Sequence, residues 1–233
     1  MSETALQHRV LESLAGARNY IAWLASLARP HLGDHPIEIG SGLGDYAAAW
    51  LSDGLPRITV TEADPALSAS LRARFAGDDR VTVGDLDLTA APEGDHSAVV
   101  AFNVLEHIAD HVGALRGARA LVRPGGAIIL IVPAFELAMS RFDRAIGHHR
   151  RYTKATLAEA YDAAEIAVER LDYVNAPGLL AWVVGMKWLR REPREGVVLR
   201  AWDRLVVPAA RRVEEVRRPP FGQSLLGVGR APS

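Results

Sequence analysis

The ten residues 37–46, reading IEIGSGLGDY, constrain this chain more than any others. They start apolar at Ile37 and Ile39, enclose an acid at Glu38, and set glycines at 40, 42 and 44. A buried parallel strand that stops in a tight turn and feeds a helix reads in this way. Glycine serves such a turn twice: it takes positive φ without strain, and it lets a ligand lie directly on the backbone. The helix that follows aims its N-terminal amides at whatever occupies the turn.

Downstream, strand-like and helix-like runs alternate. ITVTEADP predicts a strand at 57–61, ended by Glu62 and Asp64, with Pro65 opening a helix to about Phe75. Residues 81–83 form a third strand, ended by Gly84 and Asp85, and SAVVAF at 97–102 a fourth, followed by Asn103. Asp110 is placed to cap a helix running to Leu121. After the Pro124-Gly125-Gly126 turn, AIILIV is apolar on both faces and therefore a central strand. This alternation with short joints predicts an α/β fold, a mostly parallel Rossmann-like sheet with helices on both faces. Ligands of such sheets lie beyond the carboxyl ends of the strands, at the switch point beside the first.

Composition narrows the function classes. The 233 residues are 49% apolar and 24% charged, with a net charge of −1, as in an ordinary globular domain. No basic field marks a nucleic-acid binder. Cysteine is absent, which excludes disulfides, thiol catalysis and thiolate metal sites; no metal ion is expected. With no export signal and no apolar run of about 18 residues, a cytoplasmic address without a membrane-spanning helix is expected. The chain divides into a helical leader (1–30; Leu6, Val10 and Leu14, then Tyr20 and Trp23, split at Gly16), a ligand-binding core (36–175), a helical insert (176–218) and a final strand (219–233), all read as one domain.

The strand ends carry the chemistry. Glu62 is placed to accept both hydroxyls of a ribose. Asp64 suits a helix cap better than a ligand. Asp85 is placed to accept from an adenine amino group, with the Leu86 backbone as donor; Asp87 is its rival. A dinucleotide fingerprint needs a third glycine one place later than Gly44, and Asp45 there opposes a pyrophosphate. Together with Glu38, it favours a ligand carrying an ammonium and a sulfonium.

IEIGSGLG, the Glu62 strand end, GDL at 84–86, NVLEHI at 103–108 and RPGG at 123–126 together resemble a class I S-adenosylmethionine (SAM) methyltransferase. The resemblance spans roughly residues 17–175. It implies a seven-stranded sheet with five parallel strands before a final antiparallel hairpin, and SAM as cofactor with S-adenosylhomocysteine as product. It implies that Gly40, Ser41, Gly42 and Gly44 line the methionine half, that Glu62 holds the ribose, that Asp85 and Leu86 meet the adenine, and that Ala63 is among the cofactor-binding residues. Asn103, Val104 and Tyr20 complete the cofactor contacts. ARNYIAWL at 17–24, FDRAIGHHRRYT at 142–153 and PPFGQSLLGVGR at 219–230 are similar to a bacterial subfamily, methyltransferase type 11/12-like and mostly of unknown substrate. Two departures are His149, where an aromatic is expected, and Glu165-Ile166 in place of Gly-Phe, which loosens a helix stop.

For a small-molecule acceptor, His107, His148, His149 and Tyr152 are the catalytic candidates, since imidazole titrates near neutrality. His148 is preferred as base, and Arg150 and Arg151 are placed to bind an anionic or glycan-like group. An oxygen acceptor is preferred to nitrogen or carbon. The insert, with LLAWVVGMKWL at 179–189 and Trp202, Leu205, Val206 and Val213 on one helical face, reads as packing on the sheet, a homodimer contact, a roof over the acceptor, or a peripheral membrane contact. The alternatives are a dinucleotide-dependent oxidoreductase and a non-catalytic SAM-binding regulatory or partner protein.

Overall fold

A computed structural model describes residues 16–188 and 197–233 of the chain. Its strands are β1 (Ile37–Ile39), β2 (Ile58–Thr61), β3 (Val81–Gly84), β4 (His96–Phe102), β5 (Val122–Pro133), β6 (Ala167–Val174) and β7 (Ser224–Arg230). They pair in the order β3-β2-β1-β4-β5-β7-β6, parallel throughout except for β7, which runs antiparallel between β5 and β6. The order reverses beside β1, so a crevice opens between the ends of β1 and β4.

The continuous apolar runs of β4 and β5 are explained by their two buried faces. Val99, Ala101, Ile128 and Leu130 enter one layer, while Val100, Phe102, Ile129 and Ile131 enter the other. The helices are α1 (Arg18–Ala28), α2 (Asp45–Ser52), α3 (Pro65–Arg74), α4 (His111–Ala120), α5 (Arg141–Ala145), α6 (Lys154–Ala163), α7 (Ala176–Trp182), α8 (Val197–Ala201) and α9 (Val207–Val216). α1 and α2 fill the second layer through Trp23 and Trp50, whose indole N–H donates to the Ala25 carbonyl at 2.9 Å. α4 and α6 fill the first through Leu115, Leu157 and Tyr161. The caps read from sequence form: Asp64 accepts from Ala66 and Leu67, and Asp110 from Gly113; Thr153 caps α6 by accepting from Thr156.

The insert folds back on the chain itself. Ala17, at the N-terminus of α1, has no side chain that can cap it. Asp203 does so from the insert, accepting the backbone N–H groups of Asn19 and Tyr20 at 3.1 and 2.9 Å. The expected face of the insert is corrected. Leu205 and Val213 point to solvent, whereas Val207 and Ala210 are buried and Trp202 packs beside them. The cause is local: Trp202–Val206 is π-helical, and its wider turns rotate the apolar face away from the 3.6-residue register. Leu6, Val10 and Leu14 of the leader, and residues 189–196 of the insert, lie outside the described residues. Among the described residues no helix is long and apolar enough to cross a membrane.

Candidate active site

The glycine turn forms as its sequence requires. Gly40, Gly42 and Gly44 all have positive φ, of 65°, 54° and 80°. A Cβ on Gly40 would lie 2.7 Å from a Val104 methyl, so the turn is pressed directly against the end of β4. Glu62 is tied to this turn. Its Oε2 accepts the Gly42 N–H at 2.9 Å, and its Oε1 accepts the Asp64 N–H at 3.0 Å. Beyond it, Glu62, Ala63, Ser68, Arg72, Asp85 and Leu86 line an open pocket of about 520 Å³.

Asp85 and Asp87, which the sequence separates poorly, both line this pocket but have different partners. Asp87 accepts from the backbone N–H and hydroxyl of Thr89, closing its own turn. Asp85 stands in the pocket wall, paired with Arg72 at 3.0 Å and reached by Ser68 at 3.2 Å. Asp45 is not the free acid expected at the helix mouth: Arg74 pairs with it at 2.8 Å. A buried acid without a cationic partner stands at this end of the sheet in Glu38. It is 2% exposed, and its Oε2 has no hydrogen-bond partner. Burial pushes its carboxyl up to about 8, with Asp45 and Glu62 adding to the shift and Ser41 and Arg74 opposing it.

Tyr20 reaches the same edge from α1. Its hydroxyl bonds to Ser224 and Asn175, and burial raises its pKa. Ser224 lies opposite Pro133, at the carboxyl end of β5. Asn103 closes β4 with a φ of 54° and remains exposed.

A short turn after β4 carries Glu106 and His107, and the loop between α5 and α6 carries His148 and His149. The His149 N–H donates to the Glu106 carbonyl at 2.9 Å, joining turn and loop. The rings of His107 and His148 meet edge to face, 4.6 Å between centroids. His148 faces a carboxylate on each side: Nδ1 lies 3.2 Å from Asp143, out of line for an ideal hydrogen bond, and Nε2 lies 3.8 Å from Glu106. Burial pushes Glu106 up to about 8, with Asp143 adding to the shift. Against its own burial, Asp143 is held well below the usual carboxylate range by His148, Arg151 and Ser140. Burial, reinforced by His148 and His149, pushes His107 down to about 4.

Three expected acceptor-site residues are placed elsewhere. Tyr152 is 1% exposed, and its hydroxyl meets His111 Nδ1 at 3.1 Å; its ring fills the first core layer. Arg150 donates to the Ile108 and Ala109 carbonyls. Arg151 is buried, bonded to Asp143 at 2.7 Å, with its guanidinium 5.1 Å from the centre of the Trp182 ring. A loop that must cross a sheet edge needs its carbonyls and carboxylates satisfied, and these side chains do that. Sequence reasoning passed over Glu106 and Asp143. The acid inside NVLEHI was the available signal for Glu106; for Asp143 it was the capping spacing from Ser140, with His148 and Arg151 five and eight residues further on.

Residues 37–128 match a family described as "Methyltransferase domain". A curated S-adenosylmethionine-dependent methyltransferase of Mycolicibacterium smegmatis is 29% identical over 145 residues, 61% of this chain; the match spans 56% of that relative's length. Among solved structures, a chain from the complex of the Haloferax volcanii Trm112 methyltransferase activator with a methyltransferase superposes with a TM-score of 0.70 at 19% identity, covering 99% of this chain and 97% of that one. Geranyl diphosphate C-methyltransferase of Streptomyces coelicolor, solved with Mg2+, geranyl diphosphate and S-adenosylhomocysteine, gives 0.64 at 14% identity, covering 89% and 77%. A methyltransferase from Bacillus halodurans gives 0.61 at 16% identity, covering 91% and 99%. The reversal of strand order beside a three-glycine turn and the acid at the end of β2 agree with the matched model, so that residues 37–128 are similar to a methyltransferase domain and the chain has the fold of the solved methyltransferases.

Proposed function

We propose that the chain transfers a methyl group from SAM to an oxygen of a small-molecule acceptor. The observation that carries the cofactor half is Glu38, a buried carboxylate beside the glycine turn with an oxygen left unpartnered. An isolated buried carboxylate is costly, and an organic cation relieves that cost. SAM brings an ammonium and a sulfonium beside which Glu38 can ionise, whereas a dinucleotide brings a pyrophosphate that offers it no cation. With Asp45 already neutralised by Arg74, the preference for a cation rests on Glu38 and not on the helix mouth.

When bound, SAM supplies a methyl group activated by positive sulfur. The residues of this chain hold and orient it. Gly40 to Gly44 give the close backbone approach, and Glu62 takes the ribose hydroxyls with the lone pairs that Gly42 and Asp64 leave free. Arg72 and Asp85 bound the adenine end. The sulfur would keep the electron pair of the bond it gives up, and the histidine-lined end of the site would receive the proton that the acceptor hydroxyl sheds. The reaction loses charge toward its transition state, so alignment and exclusion of water carry much of the rate. Trp182, whose indole donates to the Ala138 carbonyl, helps roof that end.

Calorimetric titration tests the cofactor half: S-adenosylhomocysteine should bind and NAD(H) should not, and the reverse returns the chain to the oxidoreductases. A panel of hydroxylated acceptors with methyl-labelled SAM tests the transfer. Methylation of amines or carbons in place of hydroxyls overturns the oxygen preference. Binding without any turnover moves the chain to the regulatory SAM-binding proteins.

A further inference from the structure

Glu106 is fully buried, and neither of its carboxylate oxygens has a hydrogen-bond partner. Such a group needs a proton or a cation beside it. The neighbouring guanidinium of Arg151 is turned toward Asp143 and the Ala134 carbonyl. Imidazole faces Glu106 instead. His148 Nε2 stands 3.8 Å from its Oε1, beyond hydrogen-bond range. A ring nitrogen of His107 completes a triangle whose donor atoms all lie within 4.8 Å of one another. Donors sharing a first-row ion at about 2.0–2.2 Å stand about 3–3.5 Å apart, so tightening by about an ångström closes this triangle on one ion.

Both imidazoles are also oriented from behind. His148 Nδ1 lies 3.2 Å from Asp143, and the His107 ring bonds to the Ile146 backbone. Histidines that bind metal are held in this way, with a carboxylate or a carbonyl on the nitrogen that faces away from the ion. Asp143 is itself fixed by Arg151 at 2.7 Å and by the Ser140 backbone N–H and hydroxyl at 2.6 and 2.7 Å.

We propose that Glu106, His107 and His148 bind one divalent first-row ion. Two nitrogens and one carboxylate favour zinc, manganese or iron(II) over magnesium and calcium, which take oxygen ligands. Three protein ligands leave positions open, the pattern of catalytic sites and not of structural ones. An acceptor hydroxyl that occupied one of them would ionise more easily. That last step rests on the methyl-transfer reading; the metal site itself does not.

The test uses the full chain stripped with EDTA and titrated calorimetrically with ZnCl2 and with MnCl2. One ion per chain is expected, with a rise in melting temperature. Glu106→Gln and His148→Ala should weaken binding by about tenfold or more. His96→Ala is the control, because His96 pairs with His35 at 4.6 Å between rings at another place in the fold; it should bind as the wild type does. Retained S-adenosylhomocysteine affinity shows that each variant is folded. Should both variants misfold, the visible absorption of wild-type chain loaded with Co2+ decides, since imidazole ligation gives a band that an unbound ion lacks. No uptake by the wild type, equal uptake by Glu106→Gln, loss in His96→Ala instead, or no cobalt band each overturns the proposal. Failure to bind S-adenosylhomocysteine alongside normal metal uptake would overturn the methyltransferase function alone.

Discussion

Glu62→Gln is the sharpest probe of the cofactor site. In the native chain the two carboxylate oxygens each accept one fixed backbone N–H, from Gly42 at 2.9 Å and from Asp64 at 3.0 Å. Glutamine keeps the shape but offers one acceptor oxygen; its amide nitrogen must meet the other N–H donor head on. One charge-assisted bond is lost, at about 1.5–3 kcal/mol. For a chain of this size that lowers the melting temperature by about 3–12 °C. On the proposed assignment the ribose loses its charged acceptor as well, so affinity for S-adenosylhomocysteine should fall about tenfold or more. A loosened turn would also weaken binding, and a ligand pair separates the two causes. The 2′-deoxy analogue should bind the wild type about 10–150-fold more weakly than the parent, and the variant by no more than about threefold, because both ligands meet the same turn. Calorimetry on the four combinations completes the cycle. A variant that binds the parent within about threefold of wild type, or a deoxy penalty that survives the substitution, refutes the ribose assignment.

Further outcomes follow from individual contacts. Glu165 sits at φ 56°, a left-handed residue after α6, paired at the surface with Arg119. Glu165→Gly removes about 1–2 kcal/mol of backbone cost and at most about 1 kcal/mol of ion pair, so the melting temperature should hold or rise, by up to about 8 °C; a fall contradicts the strain. Asp203→Ala uncaps α1 at a cost of about 1–2 kcal/mol, read as a lower melting temperature with faster amide exchange at Asn19 and Tyr20. Unchanged exchange there would mean that the leader is held by packing alone.

The sheet was legible because its signals are local and periodic: apolar runs, caps at Asp64 and Asp110, and glycines where φ is positive. The glycine turn was legible for the same reason. The electrostatics were not. Asp45 looks free in the sequence because Arg74 is on another helix, and Glu38 looks like one of several acids because burial is a tertiary property. The loop at 148–152 misled in the opposite direction. Consecutive His, Arg and Tyr residues resemble a ligand surface, yet Arg151 and Tyr152 turn inward, Arg150 ties down two carbonyls, and the buried Asp143, five residues earlier, stands 3.2 Å from His148 Nδ1. The insert failed on periodicity, since its π-helical turns break the 3.6-residue spacing from which its face was read.

Glu38 and Glu106 raise a common point. Both are buried carboxylates near the carboxyl edge of the sheet, both are pushed up to about 8, and both have oxygens without partners. A fold does not gain stability from such groups, so each points to a cation that arrives later. For Glu38 the consequence can be measured. Its unfolded carboxyl ionises from about 4.5 while the folded one stays protonated toward 8, so the unfolded state binds fewer protons and stability falls as pH rises through that window. The slope from this residue is at most about 1.4 kcal/mol per pH unit. The groups facing it are Ser41, Asp45, Glu62 and Arg74, and Arg74 is already committed to Asp45. Glu38→Gln should therefore flatten the decline of melting temperature between pH 5 and 8. An ammonium placed beside Glu38 restores its charge, so S-adenosylhomocysteine binding at pH 7 should release close to one proton, read as a dependence of the calorimetric heat on buffer ionisation. Equal heats in phosphate and Tris would mean that Glu38 does not meet the cation, and the assignment of the glycine turn to the methionine half would fail with it.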